Sequence, residues 1–160
     1  MEAIEIRLVV VKELLKSGRL EEAFAEINLL LQRFPESGRL QALHGQVLFR
    51  YFGHFEQAEE AFRKAMRADG DDPALYPEYA ALLLQGGKYT EVVAVLNRAM
   101  EVPLVPKEKI FALFGQLYER QQNWEEAIEY YSKAALFTLD NEEMEKFLID
   151  RQRVARKKTL

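Results

Sequence analysis

The chain has 160 residues, 22 basic and 26 acidic side chains, a net charge of −4 and no cysteine. This excludes disulfides, thiolate metal sites and a cysteine nucleophile, and the acidic balance argues against a general polyanion binder. With 49% hydrophobic and 30% charged residues there is enough apolar material for a core. No apolar run approaches the roughly 18 residues of a membrane span. The start has no signal-peptide pattern, since Leu8-Val9-Val10-Val11 is short and flanked by Arg7 and Lys12. Together these features point to the cytoplasm.

In chain order, residues 3–16 place Ile6, Val10 and Leu14 on one helical face, with Leu8, Val11 and Leu15 beside them. Ser17-Gly18-Arg19 breaks that helix. A second helix is predicted from about Leu20 to Arg33, with Leu20, Ala23, Ile27, Leu30 and Leu31 inward, and Pro35 ends the unit. The next unit begins near Arg39 with Leu40, Leu43, Val47 and Leu48. It turns at Tyr51-Phe52-Gly53-His54 and continues through Phe55, Ala58, Phe62, Ala65 and Met66. Asp69-Gly70-Asp71-Asp72-Pro73 is a stop-and-restart signal, with Asp72 expected as an N-cap and Pro73 at the first helical position.

The third unit holds Tyr76, Tyr79, Ala80 and Leu83, then Gln85-Gly86-Gly87, then Tyr89, Val92, Val93 and Leu96. Pro77 belongs in the first turn of its helix, where no ladder hydrogen bond is lost. Val102-Pro103-Leu104-Val105-Pro106 is the least regular connection and a candidate widened gap. The fourth unit holds Ile110, Phe111, Phe114, Gly115 and Tyr118, then Trp124, Ala127, Ile128 and Tyr131. Asp140 or Asn141 caps a last helix bearing Met144, Phe147, Leu148 and Val154. Residues 142–160 carry six basic and four acidic side chains, the reverse of the balance elsewhere.

The anchors Ala23, Ala58, Val92 and Ala127 are 35, 34 and 35 residues apart, each preceded by a turn and a large residue (Leu20, Phe55, Tyr89 or Trp124). A fixed period near 34 marks stacked helical repeats. Phe114-Gly115 with Tyr118, and Ala127 with Tyr131 and Ala134, match the consensus of one such repeat. The chain resembles the tetratricopeptide repeat family over about residues 4–141. The first-helix tryptophan is missing from every unit, and Gly45 sits one residue early relative to Ala58.

The resemblance implies an all-α right-handed helix-turn-helix solenoid. Residues 1–141 are expected to form four repeats, at about 4–37, 39–72, 73–106 and 108–141, with a capping helix with a basic end over 142–160. It also implies a concave groove lined by the first helices. Carried over by position, that groove takes Leu8, Lys12 and Leu15, then Leu40, Leu43, Val47, Arg50 and Tyr51. The third unit supplies Ala74, Ala81, Leu84 and Gln85, and the fourth Lys109, Ala112, Gln116, Glu119 and Arg120. One subfamily clamps the acidic termini of heat-shock chaperones. The matching places here hold Leu8, Lys12, His44, Ala74 and Glu78, and with one basic residue and Glu78 among them no such clamp is expected.

No catalytic site, metal or cofactor is read from the sequence. The pairs Glu21-Glu22 and Glu125-Glu126, with Glu56 and Glu91, fall in the first turns of helices, where the helix dipole favours negative charge. His44 and His54 lack the spacing of a metal motif. Gly86-Gly87-Lys88 lacks the earlier glycine, the following Ser or Thr and the preceding strand of a phosphate loop. Arg151, Arg153, Arg156, Lys157 and Lys158 form a basic cluster that suits a helix C-terminus. The expected function is that of a scaffold or adaptor, the non-covalent binding of a peptide or amphipathic helix of a protein partner. No small-molecule substrate and no nucleic acid are expected. The alternatives are a dedicated chaperone of a secretion or assembly system, similar to type III secretion translocator chaperones, and a self-associating module that forms homo-oligomers.

Overall fold

A computed structural model describes residues 2–160, with side chains from Ile4 onward. Among the described residues all regular structure is helical. The chain divides into two compact units, the first ending at Gly70 and the second running from Asp71 to Leu160.

The first unit contains α1 (Glu2–Lys16), α2 (Leu20–Arg33), α3 (Gly38–Val47) with a π-helical turn (Leu48–Phe52), and α4 (Phe55–Ala68). Its core joins Leu8, Val11, Ala23, Ile27, Leu30, Leu40 and Val47, all buried. α1 therefore turns Leu8 and Val11 inward, whereas Ile6 and Val10 are 66% and 45% exposed. The expected inner face of this helix is thus rotated. It is apolar on more than one side, so spacing alone leaves its orientation open. Ion pairs at 2.6 Å, Arg7 to Glu26 and Arg39 to Glu5, clip α1 to its neighbours at the surface.

The second unit contains α5 (Leu75–Gln85), α6 (Tyr89–Glu101), α7 (Lys107–Arg120), α8 (Trp124–Phe137) and α9 (Asn141–Lys158). α5 starts at Leu75, two residues later than Pro73 implied. Asp72 instead closes a preceding turn, its Oδ1 accepting from the Ala74 N–H at 3.0 Å. Pro77 lies in the first turn, as expected. Asp140 caps α9, accepting from the Glu143 N–H at 2.9 Å.

One turn geometry recurs. Gly18, Gly53, Gly87 and Gln122 each adopt a left-handed φ of 60–75° between the helices of a pair. After α1, the Arg19 N–H reaches back five residues to the Leu14 carbonyl. In the same way the Lys88 N–H reaches the Leu83 carbonyl, and the Asn123 N–H reaches the Tyr118 carbonyl at 2.9 Å. In the second pair of the first unit the His54 N–H reaches Leu48, six residues back, so this turn holds one residue more than the others. The π-helical turn absorbs that residue. It also accounts for the early Gly45, which lies 13 positions before Ala58 where Gly115 lies 12 before Ala127. Both glycines pack closely. A Cβ on Gly45 would meet the Ala58 carbonyl oxygen at 3.1 Å, and one on Gly115 would meet the Tyr131 ring at 3.0 Å.

Candidate functional site

A concave feature of the second unit is built on α7, α8 and α9. Because Gly115 has no side chain, the Tyr131 ring of α8 lies directly against α7. Its hydroxyl donates to Glu119 Oε2 at 3.0 Å. The Glu119 carboxylate also accepts from Arg153 Nη2 at 2.7 Å and from Lys157 Nζ at 2.9 Å, both on α9. Arg153 also pairs with Asp150 on its own helix. Beneath this polar clasp, Val154 packs on Ala127 and Tyr131, and Phe147 packs on Ala112, Ala134 and Ala135.

Partial burial by itself would raise the Glu119 pKa. Hydrogen bonds from Arg153, Lys157 and Tyr131 outweigh it and hold the carboxyl at about 2. Burial first, and then the adjacent Glu119 charge, push the Tyr131 phenol well above its ordinary value. The Arg153 guanidinium is raised chiefly by its hydrogen bond to Glu119.

Between α7 and α9 lies a cleft of about 470 Å³, lined by Gln116, Glu119, Arg120, Tyr131, Lys146, Asp150, Arg153 and Lys157. Arg120 Nη1 donates to the Leu84 carbonyl at 2.9 Å. The first unit has a separate cleft of about 370 Å³, lined by Gln41, His44, Glu56, Gln57, Glu60, Ala61 and Lys64. The His44 ring there lies 5.5 Å from the Phe24 ring, and burial, followed by the charge of Lys64, lowers its pKa.

The groove positions carried over from the resemblance divide by burial. Leu8, Leu40, Val47 and Leu84 are at most 5% exposed and belong to the interior, where they cannot touch a ligand without rearrangement. Lys12, Arg50, Tyr51, Gln85, Lys109, Gln116 and Arg120 are exposed, and Leu43 and Ala81 are half-buried. Of these, Gln116 and Arg120 line the cleft beside α9. Of the four residues α9 contributes, Lys146, Asp150, Arg153 and Lys157, sequence reasoning places the last two in the basic cluster but not in the groove, and it misses the first two altogether. Their spacing of four, three and four puts them on one helical face, and that periodicity is the signal that could have found them.

The basic cluster at the end of α9 is largely engaged internally. Arg153 and Lys157 bind Glu119, and Lys158 binds Glu125 at 2.8 Å. Among the described residues no group of three or more His, Asp or Glu side chains is placed to hold a metal ion, and no helix is long and apolar enough to cross a membrane.

Two family models, both of the tetratricopeptide repeat, match residues 47–106 and 111–145, together more than half of the chain. The chain belongs to the tetratricopeptide repeat family. Among solved structures it is similar to PilF of Pseudomonas aeruginosa, at 22% identity and a TM-score of 0.80, over 98% of this chain and 73% of that one. It is also similar to PilW, a widely conserved type IV pilus biogenesis factor, at 15% identity and a TM-score of 0.78, over 98% and 79%. A third similar structure is MamA of Desulfovibrio magneticus RS-1, at 16% identity and a TM-score of 0.69, over 95% and 93%. These identities carry the fold alone. No curated protein matches the chain.

Proposed function

We propose that this tetratricopeptide repeat chain is a non-catalytic scaffold that binds a segment of a protein partner on the exposed faces of its first helices. The observation that carries the reading is the cleft of about 470 Å³ in which Gln116 and Arg120 of α7 stand beside the polar face of α9. That face is tied to α7 through Glu119 and rests on the buried Phe147 and Val154, so a ligand meets a preorganised surface. Lys109, Gln116 and Arg120 would orient the segment on the second unit, and Lys12, Arg50 and Tyr51 are the corresponding exposed positions of the first unit, taken by itself. The cysteine-free composition is compatible with the cytoplasm, the location this reading takes.

A photo-crosslinking residue at Gln116 tests this, with one at the exposed Ala94 as control. A partner captured from position 116 alone, and lost when Arg120→Glu is added, is the expected result. Equal capture from both positions overturns it.

A narrower reading, a dedicated assembly factor or chaperone, draws support from the likeness to PilW. It requires that one client stay soluble only when co-expressed with this chain. Self-association is favoured by a different observation: Leu104, Leu136 and Leu139 are 92%, 82% and 101% exposed. A mass that rises with concentration, and falls back in Leu136→Ser with Leu139→Ser, would establish it.

A further inference from the structure

We propose that the cleft between α7 and α9 takes an acidic segment of a partner polypeptide, read by Arg120 and Lys146. The inference rests on the scaffold reading above and names the chemistry of its ligand. The cleft is lined by four cations and two carboxylates. Both carboxylates are already engaged, Glu119 by Arg153 and Lys157, and Asp150 by Arg153. The surplus falls on the other two cations. Arg120 donates to a neutral carbonyl, and no ion pair to it is seen among the described residues. Lys146 is exposed, and no ion pair to it is seen among the described residues.

The chain as a whole carries −4, so this cleft is a local reversal of sign. Attraction to an acidic ligand is therefore short-ranged and sensitive to salt. Gln116, which also lines the cleft, offers an amide that both donates and accepts, as a peptide backbone requires. Single-stranded nucleic acid would need exposed aromatic platforms. The one aromatic in the lining, Tyr131, is 1% exposed and its hydroxyl is bound to Glu119.

The test is fluorescence anisotropy of the full chain with a labelled decapeptide of alternating Glu and Ser, beside the same peptide with Gln for Glu. The acidic peptide is expected to bind, to weaken with added sodium chloride, and to outbind the Gln peptide. Arg120→Gln with Lys146→Gln should weaken binding by about tenfold or more, since each removes a charge-assisted contact. Lys146→Gln alone, which disturbs no bond seen among the described residues, should weaken it in the same direction with an unchanged melting temperature. Lys16→Gln with Arg33→Gln in the first unit should leave it unaltered.

Equal binding of both peptides, or no change in the double variant, overturns the proposal. So does equally tight binding of oligouridine of matched charge, which would assign the cleft to phosphate. If the acidic peptide fails while Gln116 still captures a partner in an Arg120-dependent way, the scaffold reading stands and the acidic-segment inference falls.

Discussion

Among single residues, two positions show how local chemistry sets the second unit. Gln122 holds a left-handed φ of 60° where the turns within the other three helix pairs use glycine. A side chain there costs energy that glycine does not. Gln122→Gly is expected to stabilise the protein by about 0.5–1 kcal/mol in thermal unfolding, net of the added freedom of the unfolded chain. Glu119 is the second case. Its carboxyl titrates at about 2 when folded, below its ordinary value of 4.5. The stabilisation is therefore fully present above the unfolded value, near pH 5, and disappears as pH falls through about 2. Glu119→Gln should accordingly be less stable than wild type at neutral pH, with the gap narrowing from about pH 5 to about pH 2 in chemical denaturation. A gap independent of pH would show that the charge is not the stabilising element.

Among the elements, the π-helical turn at Leu48–Phe52 carries one residue more than an α-helical turn. Deleting Arg50 should let the segment close as an ordinary α-helix, keep Gly45 against Ala58, and preserve helicity by circular dichroism. Deleting Ala81 from the regular helix α5 should unfold the second unit, because Leu82, Leu83 and Leu84 would leave their buried positions. α1 illustrates the limit of periodicity. Its apolar residues allow more than one inward face, and packing against Ala23 and Ile27 selects Leu8 and Val11.

At the scale of the whole chain, each unit contains a described core cluster of its own residues. Leu40 belongs to the cluster of the first and Phe147 to a cluster of the second. Leu40→Ala should cost about 2–5 kcal/mol and Phe147→Ala about 3 kcal/mol. Because the described clusters around the two side chains have no residue in common, the double variant should cost the sum to within about 0.5 kcal/mol. A large departure from additivity in urea denaturation would reveal coupling between the two cores.

The helical pairs, their period, their turns and the family are legible in the residues alone. They depend on local propensities and on small residues at fixed spacing, such as Ala23, Ala58 and Ala127, which read the same in any context. Which groove positions face solvent is settled by packing instead. Leu8, Leu40, Val47 and Leu84 are apolar and stand at groove places by register, yet they are buried, because rotation about a helix axis is set by neighbouring elements and not by spacing. Tertiary structure also brings α9 beside α7, pairing Arg153 and Lys157 with Glu119 across 34 and 38 residues of sequence. No local pattern encodes that pairing, since it arises where apolar burial of Phe147 and Val154 sets the helix down.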